Sequence, residues 1–356
     1  MSSNTSVYIL GAGCSVKCGY PLAAGFVPEL ESFSQTLGGD SPKLKRCVDE
    51  TVALLRQENV QTLDDLTFRI HNRALDDPRH PSTQAYGVRN RRILSAKIAT
   101  AALFLHLEQK AQTKVLDGYQ RLILKLFPGS SDWRQRFRNT NYRLLTFNYD
   151  RLFELALLRM FRIEPHEGLL YGEDILNSGL NNNMGRGIGF ASDRFCFLKL
   201  HGSIGMRIRE EADGPRYYPY LDGSRPGEVL NINDERFFAN AGNPSPYERD
   251  PEPLLVFPFE KDFVRSGSQN QLAFREYISA VWEQAEHVIS SAKEIRFIGY
   301  SFHPMDHGAV IGLLKRAQRC SKLVIQNRPS EAGQICRTLN VDHGIELPLE
   351  PYGCDF

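Results

Sequence analysis

An apolar strand that runs straight into a glycine turn, Val7-Tyr-Ile-Leu-Gly-Ala-Gly-Cys-Ser15, constrains this chain more than any other stretch. Such a turn opens nucleotide-binding α/β sheets. Gly11 and Gly13 let the backbone bend sharply and approach a phosphate, and the helix expected next presents unpaired N–H groups and a positive dipole end. Three later segments repeat the pattern of an apolar run ending in a polar cluster: Leu145-Thr-Phe-Asn-Tyr-Asp150, Leu198-Lys-Leu-His-Gly-Ser203 and Phe297-Ile-Gly-Tyr-Ser301. In a parallel sheet those ends share one edge, which is where ligands bind in open α/β folds.

From residue 143 strand and helix signals alternate. Arg143 to Thr146, Phe195 to Leu200, Leu254 to Phe257, Glu294 to Ile298 and Lys322 to Ile325 read as strands, with a closing strand near Ile345. Asp150 to Phe161, Gln271 to Ser291, Asp306 to Arg319 and Ser330 to Leu339 read as helices. The expected fold is α/β, a doubly wound parallel sheet of Rossmann-like type. Roughly 130 residues separate its first two strands, far more than a minimal crossover needs. Apolar residues recur there at helical spacing, over Leu44 to Leu55, Leu63 to Leu75 and Ile93 to Leu107. The expected division is a sheet domain of residues 1–26 and 142–356, interrupted by a helical subdomain of residues 27–141. Asn177 to Gly189, rich in Asn and Gly, and Glu210 to Pro253, rich in Pro, Asp, Gly and Tyr, read as long loops.

Composition excludes several classes. A net charge of +1 over 356 residues argues against a generally basic nucleic-acid binder, so no direct nucleic-acid binding is expected. No apolar stretch approaches the length that crosses a bilayer, and the start of the chain lacks a signal-type segment, so a cytoplasmic protein with no membrane association is expected. The seven cysteines are scattered, which fits reduced thiols; Cys14 and Cys18 have no second pair to complete a zinc site. Gly11-Ala-Gly-Cys-Ser15 lacks the third glycine of the dinucleotide fingerprint, and no acidic residue ends a second strand about twenty residues on, which disfavours an ordinary dehydrogenase.

Taken together, the four segments resemble the sirtuin family in order and residue type. Gly11-Ala-Gly-x-Ser15 with Gly19-Tyr-Pro21 is similar to its first phosphate-binding turn, and Thr146-Phe-Asn-Tyr-Asp150 to its Thr-x-Asn-x-Asp segment. Leu200-His-Gly-Ser203 resembles its catalytic histidine segment, Gly299-Tyr-Ser301 its later Gly-x-Ser turn, and Gln326-Asn-Arg-Pro329 the stretch whose asparagine contacts the adenosine ribose. Deacylating sirtuins carry a zinc module with two Cys-x-x-Cys pairs after the histidine segment, whereas no cysteine lies here between Cys196 and Cys320. The absence of that module and the helical insertion are similar to the zinc-free bacterial branch that hydrolyses NAD, often in antiviral defence. The resemblance implies NAD as substrate, no zinc, Asn148 and His201 as catalytic residues, and Gly11, Ala12, Gly13, Ser15, Asp150, Gly299, Ser301 and Asn327 as the binding set. It also implies a ring-forming ATPase translocase as partner; a homo-oligomer is expected because an NAD-destroying enzyme must be restrained and no separate regulatory domain is evident in the sequence.

The residue types suit that chemistry. Cleaving the N-glycosidic bond of NAD builds oxocarbenium character on the ribose while the charged nicotinamide leaves neutral. The reaction asks for a group that fixes the nicotinamide, one that places the incoming hydroxyl, and a base for its proton. Asp150, Asn148 and His201 are the expected holders of those roles, in that order. The bland alternatives are a structural His at a strand end, helix capping by Asn148 or Asp150, and a plain strand-to-helix turn at Gly299 to Ser301. Asp306 reads as a helix cap or a ribose-side contact. The competing functions are a non-catalytic sensor of NAD or ADP-ribose and a zinc-free deacylase or ADP-ribosyltransferase.

Overall fold

The computed structural model describes residues 5–76, 91–111, 116–129, 140–161, 196–210, 217–221, 232–238, 252–258, 260, 272–302 and 306–353. The expected loop at Asn177 to Gly189 lies outside the described residues, as does His303.

A six-stranded parallel sheet organises the chain. Its strands are β1 (Ser6–Leu10), β2 (Tyr142–Thr146), β3 (Phe197–Lys199), β7 (Glu294–Ile298), β8 (Lys322–Asn327) and β9 (Leu349–Gly353), in the order β3-β2-β1-β7-β8-β9. β1 pairs in register with both neighbours, Leu10 lying opposite Thr146 on one side and Ile298 on the other. The fold is thus α/β and Rossmann-like, and its order reverses between β1 and β7. The central strand β1 is a continuous apolar run from Val7 to Leu10 because both of its faces are buried, whereas β2 and β7 carry Arg143 and Arg296 within them. Tyr8 and Leu10 enter one core cluster and Val7 and Ile9 the other, as the two-residue period of a strand requires.

Helices α1 (Phe26–Thr36), α2 (Pro42–Gln57), α3 (Leu63–Asp76), α4 (Arg91–Ala111) and α5 (Asp117–Leu126) fill the interval between β1 and β2, and no strand occurs there among the described residues. With α6 (Leu152–Phe161) they supply the core on the Tyr8 face. After the short α7 (Asp234–Phe238), the helices α8 (Leu272–Ser291), α9 (His307–Lys315) and α10 (Pro329–Val341) cover the Val7 face. Among the described residues no helix is long and apolar enough to cross a membrane.

Three expectations are corrected. Glu210 to Pro253 is not one long loop: β4 (Gly202–Glu210), β5 (Tyr217–Leu221) and β6 (Glu252–Leu255) form a separate sheet in the order β5-β4-β6, both pairings antiparallel, and α7 lies between β5 and β6. Pro219 is tolerated because β5 is an edge strand. The strand expected at Leu254 to Phe257 belongs to this second sheet and not to the parallel one. The closing strand is Leu349–Gly353, and Ile345 instead plugs the end of α10. There Gly344 turns at φ 60° and the Ile345 N–H donates to the Leu339 carbonyl at 3.0 Å.

Candidate functional site at the switch point

Parallel registers carry the C-terminal ends of β1, β2, β3, β7 and β8 to one edge. At the reversal, the turns after β1 and β7 touch. A Cβ on Gly11 would lie 2.5 Å from Tyr300 Cα, one on Gly13 would lie 2.8 Å from the Gly299 carbonyl oxygen, and Gly299 itself sits at φ 61°. The glycines are therefore required by this close approach, whatever else they serve. Gly11 donates its N–H to Ile298 O at 3.0 Å and Gly13 to Gly299 O at 2.8 Å, so two of the amides expected for a phosphate are engaged within the protein. The segment after β1, Ala12–Cys18, winds as a 3-10 helix rather than an α-helix.

Two cavities flank this junction. One, of about 160 Å³, is lined by Ser15, Tyr20, Phe104, Phe147, Asn148, Tyr149 and Asp150 among others; the second, of about 200 Å³, by Gly13, Lys17, Gly299, Ser301, Gln326 and Asn327. Ala12 and Leu22 line both, so the cavities adjoin across the switch point. A larger hollow of about 280 Å³ near α9 and α10 includes His307 and His343 but none of Asn148, Asp150 or His201.

A buried polar cluster backs the first cavity. Asn148 Nδ2 donates to Gly11 O at 3.0 Å and to Ser15 Oγ at 3.3 Å. The Gly11 carbonyl can only accept, so the amide orientation is fixed by chemistry. Both amide hydrogens are taken, and the atom Asn148 has left for a ligand is Oδ1, an acceptor. Ser15 has a single proton, which it donates to Asp150 Oδ2 at 2.7 Å; in its 2.9 Å contact with Tyr119, the tyrosine must then be the donor. Asp150 Oδ1 accepts the Leu152 N–H at 3.1 Å, so it also caps α6. Lys199 joins this corner to Glu154 at 2.9 Å and hydrogen-bonds the Asp150 carbonyl.

Burial pushes the Asp150 carboxyl above the ordinary carboxylate range, opposed by Lys199, Ser15 and the Leu152 amide. Because its folded pKa is raised, its ionisation favours the folded state least above that pKa; the contribution is present below the unfolded value of about 3.9 and is lost as pH rises through the folded one. Asp150→Asn keeps a cap and removes the charge, so it is expected to change stability by no more than about 1 kcal/mol, against about 1–2 kcal/mol lost in Asp150→Ala. The balance should shift toward Asp150→Asn as pH rises. Denaturant melts of both variants at pH 4 and 7 check this; equal losses would show that the cap is unimportant.

His201 follows β3 and is 3% exposed. Phe147 meets its ring edge-on at 5.1 Å between centroids, Tyr149 lies at 6.1 Å, and its Nε2 is 3.2 Å from Asp306 Oδ1. It stands behind Phe147 and Tyr149 and is not on the wall of either cavity. Ser301 is exposed and lines the second cavity. Asn327 donates Nδ2 to Tyr300 O at 3.2 Å and accepts the Arg328 N–H at 2.9 Å. Gly11 lies at the junction but lines neither cavity.

The structure therefore gathers Ser15, Asn148 and Asp150 at one cavity, Gly13, Gly299, Ser301 and Asn327 at the other, with Ala12 between. Tyr119 gives no signal in the sequence, being one aromatic among many in a helical stretch and 104 residues from its partner Ser15. Asp306 reads as a cap from its place before a helix, yet its side chain makes no cap hydrogen bond and faces His201. Cys14 donates its thiol to Ile298 O at 3.1 Å, and burial pushes its pKa up, which opposes thiolate chemistry. Among the described residues no three or more His, Cys, Asp or Glu side chains converge to hold a metal.

Fold and site define a Rossmann-like α/β protein with a cleft at its topological switch point. No protein-family model matches the chain, and no curated protein matches its sequence.

Proposed function

We propose that the chain is an NAD+ glycohydrolase of the sirtuin-like, zinc-free kind, cleaving NAD+ to nicotinamide and ADP-ribose. The observation that carries this reading is the locked Asn148 amide beside two adjoining cavities that cross the switch point. Nicotinamide and its ribose take the first cavity, and the adenosine half takes the second, where Lys17 and Arg328 supply positive charge for the pyrophosphate. Asn148 Oδ1 accepts a hydrogen bond from the ribose hydroxyl or the incoming water. The C1′–N bond breaks with its electron pair passing to nicotinamide, water oxygen bonds C1′, and the water proton passes to His201. Phe147 and Tyr149 must turn aside for His201 to meet that water.

The same burial of His201 favours a second reading, a module that binds NAD or ADP-ribose without cleaving it. In the preferred reading the protein is cytoplasmic, restrained by self-assembly or by a ring-forming ATPase translocase, and acts in antiviral defence. Incubating the purified chain with NAD+, resolving nicotinamide, ADP-ribose and cyclic product, and measuring NAD+ binding by calorimetry separates the readings. Equimolar nicotinamide and ADP-ribose supports the hydrolase; binding without product supports the sensor; neither binding nor product rejects both.

A further inference from the structure

Asp306 stands immediately before α9, where a carboxylate ordinarily caps the helix, yet it makes no side-chain cap. Its carboxylate turns inward. Oδ1 lies 3.2 Å from His201 Nε2, and Oδ2 accepts the Tyr300 hydroxyl at 3.2 Å. Both side chains of the His201–Asp306 pair are at most 4% exposed. Burying a carboxylate is costly unless it is paired and hydrogen-bonded, so this placement is a demanding one. Tyr300 is a dependable donor, because burial pushes its pKa well up and keeps it protonated. Its ring stacks on Phe147 at 4.5 Å, and Phe147 in turn meets the His201 ring edge-on. The imidazole plane is thus set by aromatic contacts, and the carboxylate at one nitrogen decides where the proton resides.

We infer that Asp306 is the positioning residue for His201: it keeps the Nε2 proton on its own side, leaves Nδ1 as the base, and stabilises the imidazolium formed when Nδ1 accepts a proton. Nε2 lies within ion-pair distance of Asp306 but without a hydrogen bond of good geometry, so the pair is placed to tighten when His201 becomes charged. Asp306 does not touch the reacting atoms; it acts through His201, as the third member of a nucleophile–base–orienter set does. The catalytic part of this inference rests on the NAD-cleavage reading, whereas the pairing itself does not.

The test uses the full chain with 15N-labelled histidine and the variants Asp306→Asn and His201→Ala. The wild type is expected to show a buried, slowly exchanging imidazole proton on Nε2, the tautomer that Asp306 sets, absent from both variants. In Asp306→Asn, Tyr300 still donates to the side-chain carbonyl oxygen, so the new amide group faces Nε2 and moves the His201 proton to Nδ1. Turnover of NAD+ should fall about 10²-fold or more with KM changed less than about threefold, a split that a general loss of folding does not produce. A folded Asp306→Asn protein with unchanged His201 resonances and unchanged kcat overturns the inference. Should the variant fail to fold, absence of the Nε2 proton signal from the wild type overturns it equally. A wild type that cleaves no NAD+ but shows the signal, lost in Asp306→Asn, would reject the glycohydrolase reading and keep the pairing.

Discussion

Changing His201 to alanine is expected to lower NAD+ turnover by about 10²–10⁴-fold, the range of a positioned acid–base group. Binding should weaken far less, because the surfaces around Ala12, Gly13 and Ser301 do not include His201. Asn148→Ala should cost a similar factor, since it removes the acceptor left over once Nδ2 is bound to Gly11 and Ser15. If the two residues act as a unit, the double variant loses little more than the worse single one. Asn148→Asp is the sharper control. It sets a second acceptor against the Gly11 carbonyl and should lose stability as well as turnover. Steady-state kinetics, calorimetric binding and melting curves check all four variants. Full activity in a folded His201→Ala protein would return His201 to a structural role.

The largest expected loss of stability comes from Glu108→Ala. Arg151 binds Glu108 through both Nε and Nη2 at 2.9 Å, with both side chains almost wholly buried. Removing one partner from such a pair typically destabilises by about 3–5 kcal/mol, because the remaining charge stays desolvated. Glu108 belongs to α4 and Arg151 to the segment after β2, so the pair fastens the helices between the first two strands to the corner that carries Asn148 and Asp150. Denaturant unfolding should show the midpoint drop, and Glu108→Gln should recover part of it. A change below about 1 kcal/mol in Glu108→Ala would overturn the expectation that Arg151 is left desolvated and unpaired when Glu108 is removed.

The parts of the fold legible in the sequence share one physical property. β1 is apolar from Val7 to Leu10, and β2, β7 and β8 each hold a short buried apolar stretch, Leu144-Leu145, Phe297-Ile298 and Leu323 to Ile325, whose ends carry the polar clusters that meet at the cleft. The second sheet is illegible because its pairing is antiparallel and its stretch is rich in turn residues, with Pro219 inside an edge strand. Ile345 misleads because an apolar residue that closes a helix end looks locally like one that starts a strand. At the site, local motifs expose Asn148, Asp150 and His201 as candidates, whereas Tyr119 does not stand out and Asp306 reads only as a helix cap or a ribose-side contact. Tyr119 and Asp306 meet Ser15 and His201 only through the tertiary fold, and no spacing rule connects residues so far apart in the chain.

The contact between the two glycine turns also decides how the cleft can move. With Gly13 hydrogen-bonded to Gly299, and with no room for even a methyl group at either turn, the bed of the cleft has no hinge. Any closure must come from the flanks, where Leu22 is exposed and Phe104 and Phe257 form walls carried by other elements. In the proposed reading, the middle of a bound dinucleotide would lie over Ala12 and meet a surface already shaped before binding, while its two ends would do the adapting. The entropy lost on binding falls at those ends, so ligands that differ there should differ most in affinity, and changes to the central linkage should be rejected by shape alone.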